Sequence, residues 1–284
     1  MKWIEKCLST IQENKVDLEI LVIDNNSTDN TVEFIKSNFP NVKLFPQKNN
    51  LGFAAANNLG YEKALENGSE FIYLLNQDTI SYPDNIFRLI EGLKLNENAG
   101  IISPLHLNDD GQRLDLHFEK EISAQNSPLL ISDFLLRKNK RYYRIGFVNA
   151  AAWLINVNTI AKMGGLFSSA FFHYGEDNNF VSRLKYFGFN IYIDTDSFVN
   201  HCREERKGKK SIDFINKELF IKSQIKLYNI NETFSSAYVG IIKYSINQLL
   251  KGNFTYSFKL LWNPIYNYKR IKKIKKSYYT EKII

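Results

Sequence analysis

Cysteine is scarce in this chain. Cys7 and Cys202 are the two in 284 residues, too few for a disulfide framework, which points to a reducing compartment. Long apolar runs are also missing. The best candidate, around residues 237–250, is interrupted by Lys243, Asn247 and Gln248, so it is too short and too polar to cross a bilayer. No basic start followed by an apolar stretch is present, and no secretory signal is expected. Internal repeats and low-complexity tracts are absent as well.

What is there is an ordinary globular composition with a divided charge. The length allows one large domain with an appendage and a sizeable core. The net charge of +7 hides an asymmetry: residues 1–202 carry 19 Lys/Arg against 24 Asp/Glu, and residues 203–284 carry 18 against 6. The basic character therefore belongs to the C-terminal part, as in a tail with its own partner.

Patterning gives the organisation. Residues 2–14 place Trp3, Ile4, Leu8 and Ile11 on one helical face. A strand over 18–23 leads to a helix from Thr28 or Asp29, capped by the Ser-Thr-Asp cluster. A short strand at 42–45 and an Ala-rich helix over 52–67 follow, the helix stopping at Gly68. Then come a strand at 71–75, a helix opened by Pro83 and a strand at 99–103. This alternation predicts an α/β fold with a mostly parallel sheet flanked by helices. Residues 105–145 break the rhythm and read as loops or a hairpin with a basic cluster from Arg137 to Arg144. Patterning returns with a strand at 147–157, a helix at 177–187 ended by Gly188, a strand at 189–193 and a loop to His201. Residues 212–262 read as helices rich in Ile, Leu, Phe and Tyr.

Three elements end in carboxylates. In Leu21-Val-Ile-Asp24-Asn-Asn-Ser-Thr-Asp29 an aliphatic strand runs into a polar turn, at the sheet edge where α/β proteins bind ligands. Taken alone, Asp24 is better explained by an Asx-turn that closes the strand. In Phe71-Ile-Tyr-Leu-Leu-Asn76-Gln-Asp78-Thr79 the carboxylate of Asp78 suits Mg²⁺ or Mn²⁺ bridging to a diphosphate, or a helix cap. Gly175-Glu176-Asp177 opens an amphipathic helix, where an acid is either a general base or an acidic first turn. His201 is an imidazole that could complete a metal site with Asp78. The other histidines, His106, His117 and His173, show no ligand spacing. Together the set suggests a metal-assisted transferase. A sugar nucleotidyltransferase would need a Gly-rich loop bearing Arg or Lys near the N-terminus, and none is present.

In this order the segments Val22-Ile-Asp24-Asn-Asn-Ser-Thr-Asp29, Asn49-Asn50-Leu-Gly52-Phe-Ala-Ala-Ala-Asn57-Asn58, Leu74-Leu-Asn76-Gln-Asp78-Thr79 and Tyr174-Gly-Glu-Asp177, with His201, resemble the inverting family 2 glycosyltransferases of the GT-A fold. The likeness is especially to the bacterial rhamnosyltransferase-like branch, and it covers about residues 1–205. It implies a GT-A domain at 1–205 and a helical, basic C-terminal extension at 206–284. It further implies a nucleotide-sugar donor, with dTDP-rhamnose the expected one. The expected acceptor is a growing cell-surface polysaccharide or lipid-linked glycan of bacterial cell-wall biosynthesis. By the same resemblance, Asp24, Asn26, Asn50, Gly52, Asn57, Asn76 and Asp78 bind the donor. Asp78 and His201 hold a divalent cation, and Asp177, with Glu176 as the second candidate, is the catalytic base of this hexosyltransferase. Asn76 stands where the signature has its first acid.

The family also begins with a strand ending in a Thr-Tyr-Asn-like motif, which this sequence does not contain before Met1-Lys-Trp-Ile. The expectation is a start assigned too late; the alternative is a shortened, inactive copy that acts only in binding. At the other end, Trp262, Tyr266 and Tyr268 precede Lys269-Arg-Ile-Lys-Lys-Ile-Lys-Lys276. A cytoplasmic protein is expected; aromatics beside a basic run suit equally the anionic inner face of the plasma membrane, in peripheral contact through 262–276, and a solvated tail on a packed helical cap. No nucleic-acid-binding module accompanies the charge.

Overall fold

The computed structural model describes residues 2–203 and 212–279; the domain boundary expected at 205/206 lies outside them. In chain order the elements are α1 (Ile4–Gln12), β1 (Leu21–Asp24), α2 (Thr31–Asn38), β2 (Lys43–Pro46), α3 (Gly52–Glu66), β3 (Phe71–Leu75), β4 (Thr79–Ser81), α4 (Asn85–Leu95), β5 (Ala99–Leu107), α5 (Leu116–Glu121), α6 (Leu130–Leu135), β6 (Tyr142–Ile145), β7 (Ala152–Asn156), α7 (Val157–Lys162), α8 (Glu176–Tyr186), β8 (Asn190–His201), α9 (Ile212–Leu227), α10 (Phe234–Leu250), α11 (Phe254–Tyr266) and α12 (Tyr268–Ser277). They form two compact units. Of the described residues, the first unit holds 2–51, 56–160 and 188–203, and the second holds 52–55, 161–187 and 212–279. Residues 161–187 thus group with the C-terminal helices.

In the first unit, β1 and β2 pair in parallel, with Asp24 opposite Pro46. A larger sheet has the order β3-β7-β5-β8-β4, with β6 also on β8. The expected mostly parallel sheet is corrected to a mixed one. β5 and β8 run parallel, but β7 lies antiparallel between β3 and β5, and both β4 and β6 are antiparallel to β8. Strand–helix alternation reveals only strands joined by crossover helices; β7, β4 and β6 arrive by other connections, which the alternation does not report.

The apolar spacing in α1 buries Ile4, Cys7, Leu8 and Ile11, and Ile4 and Leu8 pack with Ile35, Phe39 and Val42. α4 buries Leu89 and Leu93 against Ile102 and Leu154 of the sheet. The helix expected from Thr28 or Asp29 starts at Thr31, because the Asp29 carboxylate accepts the Thr31 amide at 3.1 Å and holds the preceding residues in a turn. The expected 105–145 excursion resolves into the end of β5, then α5, α6 and β6. Within its basic cluster, Arg141 grips Asp194 with two hydrogen bonds of 3.1 Å and Glu91 with one of 2.5 Å. The expected loop before His201 is instead the C-terminal half of β8.

The second unit has its own core of Phe171, Leu227, Tyr228, Ala237, Ile241 and Leu260, joined by Ile271. Thr233 caps α10 by accepting the Ser236 amide. α8 turns Phe180, Val181 and Leu184 inward, and with them the polar Asn179 and Arg183. Asn179 donates to the Tyr228 carbonyl at 2.8 Å, and Arg183 donates to the carbonyls of Met163 and Gly165 at 2.9 Å and to that of Leu166. Among the described residues no helix is long and apolar enough to cross a membrane.

Candidate active site

β1 delivers Asp24 to a tight turn. Its side chain is buried, and Oδ2 accepts the Ser27 amide at 3.1 Å. Asn26 adopts φ 68°, a left-handed conformation that asparagine tolerates. Asn25 reaches further along the chain, its Oδ1 accepting the Leu51 amide at 2.6 Å. That bond ties the Asp24 turn to the segment carrying the exposed Asn50. Asn57 lies half-buried on α3. The bonds that end the strand also fix its polar tip.

β3 ends one residue before Asn76, whose amide donates to the Ala151 carbonyl at 2.9 Å. The Asn76 carbonyl accepts both the amide and the hydroxyl of Thr79, at 3.1 and 2.6 Å. This closes a turn that leaves Asp78 at its apex, with its side chain 30% exposed. The antiparallel register pairs Thr79 with His201, and the Cys202 amide donates to the Asp78 carbonyl at 2.7 Å. Asp78 Oδ1 consequently lies 3.5 Å from Nε2 of His201, which is 2% exposed. Partial burial pushes the Asp78 carboxyl up, but the hydrogen bond and charge of His201 outweigh it and hold the group below the usual range, so it is ionised.

Two neighbours, His106 and Arg203, were not singled out by the sequence. His106, fully buried, meets the His201 ring edge-on at 5.8 Å and lies 4.8 Å from the Phe118 ring. Its Nε2 is 3.2 Å from the Ser103 hydroxyl. Burial, then the charges of His201 and Arg203, drive its pKa well below the ordinary value. Arg203 Nε stands 3.2 Å from each ring nitrogen of His201, and its Nη2 is 3.4 Å from the Asn149 side chain. The one available signal was the basic residue two places after His201. His106 gave none, because its partners are distant in sequence.

Glu176 and Asp177 belong to the second unit, at the first turn of α8. The chain enters that helix through Tyr174 at φ 73° and Gly175 at φ 96°. A Cβ on Gly175 would lie 2.8 Å from the Phe171 ring and 3.0 Å from Ile225, so glycine is required on two counts. Glu176 is 5% exposed, and its Oε2 has no hydrogen-bond partner among the described residues. Burial pushes its pKa up to about 7, with the neighbouring Asp177 charge adding to the rise. Asp177 is half-buried, and its Oδ1 accepts the Asn178 amide at 2.7 Å and the Asn178 side chain at 3.0 Å. In the same unit Gly52, at φ 79°, opens α3 against Phe172, whose carbonyl accepts the Phe53 amide at 2.9 Å.

The donor set at Asp78 and His201 fits a divalent cation of the Mg²⁺ or Mn²⁺ type. It offers an ionised, partly exposed carboxylate beside an imidazole. Among the described residues no group of three or more His, Cys, Asp or Glu side chains gathers to hold an ion alone. The two-residue set therefore suits an ion whose remaining ligands come from substrate phosphates and water.

Residues 1–164 match the family described as Glycosyl transferase family 2. Over 206 residues the chain is 25% identical to N-acetylglucosaminyl-diphospho-decaprenol L-rhamnosyltransferase of Mycobacterium tuberculosis, covering 65% of this chain and 66% of that protein. It is 32% identical over 122 residues to the SPbeta prophage-derived glycosyltransferase SunS of Bacillus subtilis, covering 40% of this chain and 28% of that one. The chain thus spans just under two thirds of the first relative's length and less than a third of the second's.

Among solved structures, GalNAc-T7 with UDP, GalNAc and Mn²⁺ superposes with a TM-score of 0.61 at 15% identity, over 93% of this chain and 54% of that one. TarS 1–349 of S. aureus in complex with UDP-GlcNAc gives 0.55 at 14% identity, over 84% and 66%. These likenesses show a shared fold, the α/β architecture of GT-A glycosyltransferases. With the matched segment covering more than half of its length, the chain belongs to glycosyl transferase family 2.

Proposed function

We propose that this protein transfers a glycosyl group from a nucleoside-diphosphate sugar to an acceptor hydroxyl with inversion at the sugar carbon. The donor is L-rhamnose carried on dTDP, and the acceptor is a lipid-linked glycan or growing cell-surface polysaccharide. The observation that carries the reading is the Asp78–His201 pair, fixed by the register of β4 on β8. Membership of the family supports glycosyl transfer. The mycobacterial rhamnosyltransferase supports the choice of sugar and of a polyprenyl-linked acceptor.

The turn at Asp24–Ser27, tied to Leu51 through Asn25, orients the nucleoside, with Asn50, Gly52 and Asn57 on the segment that follows. Asn76 shapes the turn that presents Asp78. Asp78 and His201 would hold a divalent cation, which when bound neutralises charge on the departing diphosphate. Asp177 takes the proton from the acceptor hydroxyl as its oxygen bonds to the anomeric carbon and the bond from that carbon to the diphosphate oxygen breaks. Asp177 is preferred to Glu176 because it is the more accessible of the two, whereas Glu176 is closed off and near neutrality.

The test supplies the protein with dTDP-rhamnose, UDP- and GDP-sugars and a polyprenyl-diphosphate GlcNAc acceptor, with Mn²⁺ or EDTA. Product configuration is read by NMR. Transfer of rhamnose with inversion, lost in Asp177→Asn and kept in Glu176→Gln, is expected. Retention of configuration, or full turnover by Asp177→Asn, overturns the mechanism.

A further inference from the structure

The exposed face of α11 carries a run of large apolar side chains that packing within its unit does not use. Ser257, Leu260 and Pro264 occupy the buried side of this helix. Away from them, Phe254, Phe258, Trp262 and Tyr266 recur every fourth residue, and they are 61%, 57%, 64% and 90% exposed. That spacing places them in one stripe along the helix. Trp262 and Tyr266, with Lys259, Asn263 and Ile265, line an open groove of about 430 Å³. Just before the turn into α11, Leu250 is 83% exposed, and Ile246, one helical turn earlier on α10, is half exposed. Monomeric surfaces rarely leave contiguous aromatic faces of this kind bare without a partner.

Charge identifies the partner. Between Thr233 and Tyr279 the sequence contains no Asp or Glu and nine Lys or Arg. Of these, Lys269, Arg270, Lys272, Lys273 and Lys276 are exposed on α12, which follows the aromatic helix after Asn267 alone. Lys275 is used internally, donating to the Glu232 carbonyl, and Ile271 and Ile274 turn into the core. An aromatic stripe continuous in sequence with an unneutralised basic helix matches a surface that is apolar at shallow depth and negatively charged at its face.

We infer that α11 and α12 form a docking surface for an anionic lipid bilayer, with Phe254, Phe258, Trp262 and Tyr266 entering the headgroup boundary and the α12 cations meeting acidic headgroups. This contact begins at Phe254, upstream of the aromatics that the sequence pointed to. It is independent of the catalytic reading, since it involves neither Asp78 nor Asp177.

The experiment is flotation of the full chain with vesicles of phosphatidylcholine, with and without phosphatidylglycerol, together with quenching of tryptophan emission by brominated lipid. Binding only to the acidic vesicles is expected, weakened by salt, with quenching that disappears in Trp262→Phe while binding remains. Phe258→Ser combined with Trp262→Ser, and separately Lys272→Gln combined with Lys273→Gln, should each lower the partition coefficient about tenfold or more. An unchanged melting temperature would confirm that these exposed positions were altered without unfolding. Failure of the wild-type chain to bind, equal binding to neutral vesicles, or undiminished binding by the Ser variant overturns the inference. So does a concentration-dependent dimer abolished by the Ser variant without vesicle binding, which would assign the face to a second copy.

Discussion

Oδ1 of Asp78 and Nε2 of His201 face each other at 3.5 Å because a three-residue strand, β4, pairs with the far end of β8. In the proposed reaction the pair would act as a unit, so its removal should not be additive. Asp78→Asn and His201→Ala should each lower kcat by about 100-fold, comparable to losing a principal electrostatic group, and the double variant should be little worse than the poorer single one. Steady-state kinetics over a Mn²⁺ series checks this. Fully multiplicative losses would show that the two side chains work separately.

Arg203 brings a guanidinium to 3.2 Å from the ring nitrogens of His201. In the proposed reaction its guanidinium would meet the donor diphosphate, so with Arg203→Gln kcat/KM for the donor should fall about tenfold or more, mainly through KM. A change confined to kcat would place the guanidinium on the transition state alone.

Glu176 gives a pH signature. Its folded-state pKa of about 7 lies above the ordinary 4.5. The proton is therefore held more tightly in the folded chain, and stability from this group is full below about pH 4.5 and lost as the pH rises through 7. Glu176→Gln removes that loss. Its stability advantage over the wild type should be absent at pH 4 and should grow to about 2–3 kcal/mol by pH 8. Urea denaturation at several pH values reads it directly.

Arg183 is a structural counterpart. It is 2% exposed, and burial lowers its pKa to about 10. Arg183→Met leaves the carbonyls of Met163, Gly165 and Leu166 without their donor. The cost should be about 3 kcal/mol or more, visible as a lower denaturation midpoint. Equal stability would mean that the loop finds other donors.

The sequence was most legible where the determining forces are local. β1 ends at Asp24 and β3 ends just before Asn76 as expected, because an aliphatic run giving way to Asn, Asp and Thr changes both burial and turn preference within a few residues. The start of α8 beside Glu176 and its stop near Gly188, at φ 82°, were legible for the same reason. β8 was read as half its length because its second half is stabilised by pairing with β5 and β4, strands far away in sequence. β6 was hidden in a basic cluster whose Arg141 is neutralised by Asp194 and Glu91, again distant residues. His106 could not have been placed beside His201 without knowing that their strands pair side by side.

Gly52 has a mechanical consequence. A Cβ there would lie 2.3 Å from the Phe172 carbonyl oxygen and 2.7 Å from its ring. That backbone leads within four residues to Glu176 and within five to Asp177. The glycine is a latch that lets two distant stretches of chain close without a gap. Any side chain placed there would act as a wedge, prising the Phe172 backbone away and carrying the acid pair with it. A loss of activity on substitution at 52 would then report the displaced Phe172 backbone as much as any contact the glycine makes with a donor.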